Sequence, residues 1–187
     1  MDRVDASDSP EQFLRLETEL RELTDRQRVI DAVESRRREA FLRRQAAESG
    51  TFAGVLQDLG ERRALVAVST IDRHQLRGII RTIGTDFVSL RAPGVGAYLV
   101  MLGAVTAVRA EPDAAPSIGD RVVSVGASLG AVLGELVADH PTVTIHTLSG
   151  DHVEGELRSS GLDVVSLRTG TSTTYVPIEA VSHCSIP

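Results

Sequence analysis

The phrase GTDFVSLR at residues 84–91 returns at residues 161–168 as GLDVVSLR, an offset of 77 positions. The same offset relates residues 55–91 to residues 132–168, where 13 of 37 position pairs are identical. Self-similarity at one fixed offset indicates a duplicated structural unit. We therefore expect the two copies to fold into the same order of elements.

The shared phrase is typical of a turn that leads into a core strand. Gly84 and Gly161 permit a positive φ at the start of the turn. The carboxylates of Asp86 and Asp163 can accept hydrogen bonds from nearby backbone N–H groups. We predict a structural role for these four residues, and not a catalytic one.

Outward from the phrase, both copies show the same succession of patterns. A short amphipathic helix, FAGVLQDL in the first copy and LGAVLGEL in the second, precedes a strand with alternating apolar residues. A tight turn leads to a second strand with a glycine at its centre, Gly78 or Gly155, which predicts a sharp bend or a close backbone approach. After the strand in the repeated phrase, a loop and two short strands complete each copy.

These features together resemble the Sm-like (LSm/Hfq-like) family. The resemblance is carried by Gly78 and Gly155, by DFVSL and DVVSL, and by YVPIEAV at residues 175–181. It implies a mainly β protein with some α structure: two tandem Sm-like barrels of five strands, each preceded by a short helix, and an N-terminal helical arm. The implied domains are the arm (1–50), barrel 1 (51–110), a linker (111–119) and barrel 2 (120–187).

The arm itself is predicted from helical spacing of apolar residues, which begins at Phe13. Ser9 is a candidate N-cap with Pro10 at the first helical position. Thr24 is a second candidate cap, so the arm is either one helix or a helical hairpin. Its narrow apolar stripe is expected to pack on the same protein or on a second copy.

Composition restricts the class of protein. The chain of 187 residues has 42% hydrophobic and 25% charged residues, as ordinary globular proteins do. One cysteine, Cys184, precludes an intramolecular disulfide and is expected to be a buried small hydrophobe. No stretch has the roughly 20 apolar residues of a transmembrane helix, so we expect no membrane association and a cytoplasmic location.

Nucleic-acid binding in a regulator of transcription or translation is the first functional hypothesis. The resemblance implies RNA binding, and residues 51–110 carry seven arginines against four acidic residues within a chain of net charge −6. Phe87 stands where the family has a stacking aromatic, although the second copy has Val164, and the final turns lack the family's Lys-His pair. The candidate contacts to RNA or DNA are Arg62, Arg63, Arg73, Arg77, Arg81, Phe87 and Arg91.

Self-assembly without nucleic acid is the alternative hypothesis. Unpaired strand edges favour pairing with another edge, which predicts a homo-oligomer or pairing of the two barrels within one chain. Charge adds to this prediction, since Arg77 and Arg81 of copy one could meet Glu154 and Glu156 of copy two.

Catalytic and metal chemistry are not indicated by any motif. No nucleophile elbow, phosphate loop or paired-carboxylate pattern occurs, so we predict no enzyme and no cofactor. His146 and His183 would approach each other if the last strand of copy two paired with its first. The histidine spacings match no ligand pattern, and no metal site is expected.

Overall fold

The computed structural model describes residues 28, 31–42, 44–45, 48–94, 96–111, 117, 119 and 126–187. Contacts divide the chain into two units, Met1–Glu48 and Ser49–Pro187. In the first unit, residues 31–42 form an exposed helix, α1, and the predicted arm over residues 1–50 stays a prediction. The candidate caps Ser9 and Thr24 lie outside the described residues. No helix in the described part of the chain is both long and apolar enough to cross a bilayer.

The described residues of the second unit form two α-helices and ten strands. Helix α2 spans Phe52–Glu61 and helix α3 spans Leu129–Leu136, close to the two predicted helical segments. The strands are β1 Leu65–Thr70, β2 Gln75–Ile83, β3 Phe87–Ala92, β4 Gly96–Met101, β5 Val105–Ala110, β6 Thr142–Thr147, β7 His152–Ser160, β8 Val164–Thr169, β9 Ser172–Pro177 and β10 Val181–Ile186. One turn of 3₁₀ helix separates β4 from β5 and β9 from β10.

The prediction of two Sm-like barrels is wrong, because the ten strands form one open antiparallel sheet. Its strand order is β5-β1-β2-β3-β4-β10-β6-β7-β8-β9. Closure of the first half would require its own outer strands, β4 and β5, to pair. The free side of β4 instead pairs with β10 of the second half, with Leu99 opposite Cys184. The resemblance therefore lends no support to RNA binding or to a regulatory role.

Duplication is nevertheless visible in the strand order and register of the two halves. Each half has its fifth strand beside its first, followed by the second, third and fourth. The offset of 77 holds through β3 and β8, then becomes 76 because the following loop is one residue shorter in the second half. Tyr175 consequently corresponds to Leu99 in the structure, and Tyr98 corresponds to Thr174.

Alternating burial follows from the period of two along a strand, as the sequence predicted. In β1, Val66, Val68 and Thr70 are buried, and in β6 the buried residues are Val143 and Ile145. Two apolar clusters form on these faces, one centred on each half. Phe87 and Leu99 belong to the first half by sequence, but they pack in the cluster of the second half. The two halves therefore share their packing as well as their sheet.

The strand glycines mark close backbone approaches, as predicted. A Cβ on Gly78 would lie 2.7 Å from the carbonyl oxygen of Arg91, and one on Gly155 would lie 2.8 Å from that of Arg168. The expected positive φ at Gly84 and Gly161 is not observed. Glycine is required at Gly84 for space, because a Cβ there would overlap the ring of Phe87.

Candidate functional site

A cluster of imidazoles and one carboxylate lies where the two halves of the sheet meet. One ligand-type atom from each of Asp72, His74, His146 and His183 lies within 4.8 Å of the others. We call these four side chains the junction cluster. Asp72 and His74 belong to the first half, whereas His146 and His183 belong to the second.

The β1–β2 hairpin places the first two members. Thr70 N–H donates to the His74 carbonyl oxygen at 3.0 Å, which closes a three-residue loop. Arg73, the last loop residue, has φ 67°, the left-handed conformation that such hairpin loops use. Asp72 and His74 flank this residue, and Asp72 Oδ2 lies 2.8 Å from His74 Nδ1.

Strand register places the two histidines of the second half. His183 of β10 lies opposite His146 of β6, which in turn lies opposite His152 of β7. The rings of His146 and His183 are stacked, with centroids 4.3 Å apart and an interplanar angle of 7°. The predicted approach of His146 and His183 is therefore confirmed.

Hydrogen bonds hold the Asp72 carboxylate in a fixed orientation. Its side chain is completely buried, and Ser182 Oγ donates to Oδ1 at 2.8 Å. The other oxygen, Oδ2, faces His74 and lies 3.6 Å from His183 Nδ1. Burial by itself raises the pKa of Asp72, but hydrogen bonds from Thr70, Ser182 and His74 outweigh it and hold that pKa below its usual 3.8. The cluster thus contains one buried anion at neutral pH.

The two stacked imidazoles are neutral at the same pH. Burial lowers the pKa of His183 to about 4, and the neighbouring His146 contributes in the same direction while Asp72 opposes it. Burial also lowers the pKa of His146, with further lowering by His74 and His152. His146 Nδ1 is buried and has no hydrogen-bond partner among the described residues. A buried nitrogen without a hydrogen-bond partner destabilises the folded state. This indicates that a bound species other than the protein chain should pair with it.

Sequence reasoning missed Asp72 and His74 as members of this cluster. The sequence pattern directs attention to the histidines of the second copy, whereas Asp72 lies in the β1–β2 loop of the first copy and His74 directly follows it. The signal in the sequence is the Asp-x-His spacing at a three-residue hairpin loop, with Asp72 inside the loop and His74 directly after it, which places both side chains at the same end of the sheet. The sequence does not show which strands of the second half lie beside these two residues, because that depends on the β4–β10 pairing.

The junction between the halves also differs from the two free edges of the sheet, β5 and β9. Leu99 is buried at the junction with 5% exposure, whereas its counterpart on β9, Tyr175, is 69% exposed. Leu129, at the start of α3, is completely buried, whereas its counterpart Phe52 is 45% exposed. Leu162, in the turn before β8, is fully exposed.

A helix cap shows the same asymmetry. Leu129 N–H donates to Asp86 Oδ1 at 2.8 Å, so a turn of the first half caps the helix of the second. This bond confirms that the Asp86 carboxylate binds backbone N–H, although the donor is distant in sequence. The counterpart carboxylate, Asp163, is exposed at the outer end of the sheet.

The candidate nucleic-acid residues lie on several elements of the second unit. Arg77 and Arg91 are exposed on one face of the β2–β3 pair, and Arg81 lies at a β-bulge of the same pair. Arg62 pairs with Asp58 at 2.7 Å at the end of α2, next to Arg63, and Arg73 lies in the β1–β2 loop. Phe87 is 3% exposed, so the prediction that its ring stacks on a base is wrong. Phosphate binding by the arginines stays a prediction.

The predicted charge pairing between the halves is also wrong within one chain. Arg77 lies on β2 and Glu154 on β7, with four strands between them. Glu156 pairs inside its own half, at 3.1 Å from Arg158.

No protein-family model matches the chain, and the search of curated proteins finds no significantly similar sequence.

Proposed function

We propose that this protein is a self-assembling module whose chains join head to tail, with β9 of one chain paired to β5 of the next. The single observation that carries the proposal is the difference in burial between the internal junction and the free edges. In the duplicated halves, β9 is the counterpart of β4, and β5 is the counterpart of β10. The β4–β10 junction is thus a template for contact between chains.

The template specifies a register. Cys184 lies opposite Leu99 and Ser185 opposite Tyr98 at the junction. Transferred by the offset of 76, these pairs place Val108 of one chain opposite Tyr175 of the next, and Arg109 opposite Thr174. Such pairing would cover the exposed Tyr175 ring and satisfy the backbone groups of both edges.

Helix capping supports the same arrangement. Asp86 caps α3 across the internal junction, and its counterpart Asp163 would accept a hydrogen bond from Phe52 N–H of the next chain. Phe52 would then occupy the position in which Leu129 is buried. Because the two surfaces in contact differ, the interface is heterologous and produces a ring if its rotation closes or a filament if it does not.

Charge exchange across the proposed register provides the test. Thr174→Arg places two arginines opposite each other, and we expect an increase of about two- to fivefold in the dissociation constant, since a cross-strand pair contributes about 0.2–1 kcal/mol. Thr174→Glu should strengthen association, and the double variant Arg109→Glu/Thr174→Arg should restore it. Sedimentation velocity over a range of concentrations measures all four proteins.

Tyr175→Glu tests the apolar part of the interface. Burial of an unpaired carboxylate opposite Val108 should weaken association at least tenfold. Phe41→Glu, in the exposed helix α1, is the matched control. A wild-type chain that is monomeric at every concentration contradicts the proposal. So does an oligomer that Phe41→Glu dissociates and Tyr175→Glu does not, because the arm would then be the contact.

A further inference from the structure

We propose that the junction cluster is a structural binding site for one divalent transition-metal ion, with Zn²⁺ as the best match. The ligands are Asp72 and His74 from the first half and His146 and His183 from the second. Three imidazoles and one carboxylate are donors that suit Zn²⁺, which structural sites bind with four protein ligands. This inference does not depend on assembly through β5 and β9.

The separations between donors suit an ion of this size. Tetrahedral coordination at about 2.0–2.1 Å places neighbouring ligand atoms roughly 3.3 Å apart. Asp72 Oδ2 lies 2.8 Å from His74 Nδ1 and 3.6 Å from His183 Nδ1, which brackets that value. No two of the four donor atoms lie more than 4.8 Å apart. The rings of His146 and His183 are stacked with 7° between their planes, so on binding one of them would rotate to bring both lone pairs onto a single ion. The His74 side chain is 42% exposed, which leaves it room to adjust.

The surroundings of the ligands also match a metal site. Ser182 orients the carboxylate from outside the cluster, as groups behind metal ligands commonly do. The buried carboxylate supplies one negative charge to a divalent ion. The unpaired Nδ1 of His146 is a buried lone pair or N–H with no partner in the described protein, which a hydrogen-bonded structural cluster would not leave.

The position of the cluster defines what the ion would do. The bound ion would connect the β1–β2 loop of the first half to β6 and β10 of the second. It would thus link the two halves in addition to the β4–β10 pairing. Four protein ligands leave no open coordination position, so the role is structural. The counterparts of the four ligands are Ser149, Asp151, Ser69 and Ala107, which cannot form the same site. The ion is therefore specific to the junction within a chain.

Metal content of the full-length chain tests the proposal. After removal of metal with a chelator and dialysis against Zn²⁺, we expect one Zn²⁺ per chain, and titration calorimetry should give a dissociation constant at or below the micromolar range. Zn²⁺ should also raise the thermal unfolding midpoint, because it binds the folded state alone. Asp72→Asn, His74→Gln and His146→Gln should each weaken binding at least tenfold.

His74→Gln is the decisive variant, because the His74 side chain is 42% exposed and its replacement disturbs buried packing less than replacement of His183, which is 2% exposed. Circular dichroism confirms its fold before titration. The matched controls are His140→Asn, which keeps a residue that tolerates the left-handed conformation at φ 46°, and His152→Gln, which removes an exposed histidine beside the cluster. Both controls should bind Zn²⁺ as the wild type does.

Co²⁺ provides a second measurement. Four-coordinate Co²⁺ absorbs intensely in the visible region, and we expect that spectrum in the wild type and its loss in His74→Gln. A wild-type chain without affinity for Zn²⁺ overturns the proposal. Equal affinity in the wild type and the three ligand variants, or a weak octahedral Co²⁺ spectrum, overturns it as well.

Discussion

At the scale of single residues, the available space and the degree of burial determine the role of a residue more than its chemical type does. Gly78 and Gly155 are required because a carbonyl oxygen occupies the place of a Cβ, whereas Gly84 is required because Phe87 does. Phe87 has the residue type of a base-stacking platform, but burial makes it a core residue. Cys184 is buried as predicted, and burial raises the pKa of its thiol to about 12.

Gly78→Ala tests the close approach of β2 and β3. The added methyl group would lie 2.7 Å from the Arg91 carbonyl oxygen, so the strands must separate, and we expect a loss of about 1–3 kcal/mol in the free energy of unfolding. Gly103→Ala is the control, since a Cβ there would have no other atom within 4 Å. Urea unfolding measures both. Equal stability of Gly78→Ala and the control would show that β2 and β3 are not closely packed there.

The low pKa of His183 predicts a dependence of stability on pH in the metal-free protein. The unfolded chain binds a proton at His183 near pH 6.5 and the folded chain only near pH 4. The contribution of His183 to stability is therefore constant above pH 6.5 and falls by about 3 kcal/mol as the pH drops from 6.5 to 4. The lowered pKa of His146 adds a loss in the same direction. Urea midpoints in the presence of a chelator, between pH 7 and 4.5, measure this loss.

His183→Gln should remove the contribution of His183 to that slope, whereas Leu162→Ala, at a fully exposed position, should keep the slope of the wild type. Asp72 lowers the stability further only below pH 3.8. In that range the unfolded chain binds a proton at this carboxylate while the folded chain still keeps it ionised. A wild-type midpoint that stays constant down to pH 4.5 would contradict the placement of a neutral, buried His183.

At the scale of elements, local pattern predicts structure well where neighbouring residues alone decide it. Helix α3 begins and ends at the residues of LGAVLGEL, and Ser128 Oγ caps it by accepting from Ala131 N–H at 3.3 Å. The 3.6-residue period and the cap are both local signals. The second cap, Asp86, comes from 43 positions away, which no local pattern indicates.

Asp86→Ala tests this long-range cap. Leu129 N–H would lose its acceptor at a buried helix start, so we expect a loss of about 1 kcal/mol in the free energy of unfolding. Asp163→Ala is the matched control, because the same residue type at the equivalent position caps no helix among the residues that the structure describes. Its stability should equal that of the wild type in dilute solution. A similar loss in both variants would assign the effect to the turn instead of the helix.

At the scale of the whole molecule, the two halves share one sheet and exchange core residues. Phe87 and Leu99 of the first half fill the apolar cluster of the second. We therefore expect the unit Ser49–Pro187 to unfold in one cooperative transition.

Leu56→Ala, deep in the cluster of the first half, tests this cooperativity. It should destabilise the protein by about 2–5 kcal/mol and, through the shared sheet, speed alkylation of Cys184 in the second half. Leu162→Ala, at a fully exposed position, should change neither quantity. A lower midpoint by circular dichroism with unchanged alkylation of Cys184 would show that the halves unfold independently.

The amino-acid pattern was enough to predict the duplication, the helix positions, the alternating strands and, once the last strand of copy two pairs with its first, the approach of His146 to His183. These features depend on periods of 2 and 3.6 residues, on caps, and on pairing between strands that belong to one copy. Three features follow only from the folded sheet: it stays open, β4 pairs with β10, and Asp72 and His74 meet the two histidines. The alternation of apolar and polar residues along β4 is the same whichever strand pairs with it, because backbone N–H and C=O groups form hydrogen bonds without regard to sequence. Which strand pairs with β4 depends on how strongly the whole sheet bends, and that curvature is set by all ten strands together.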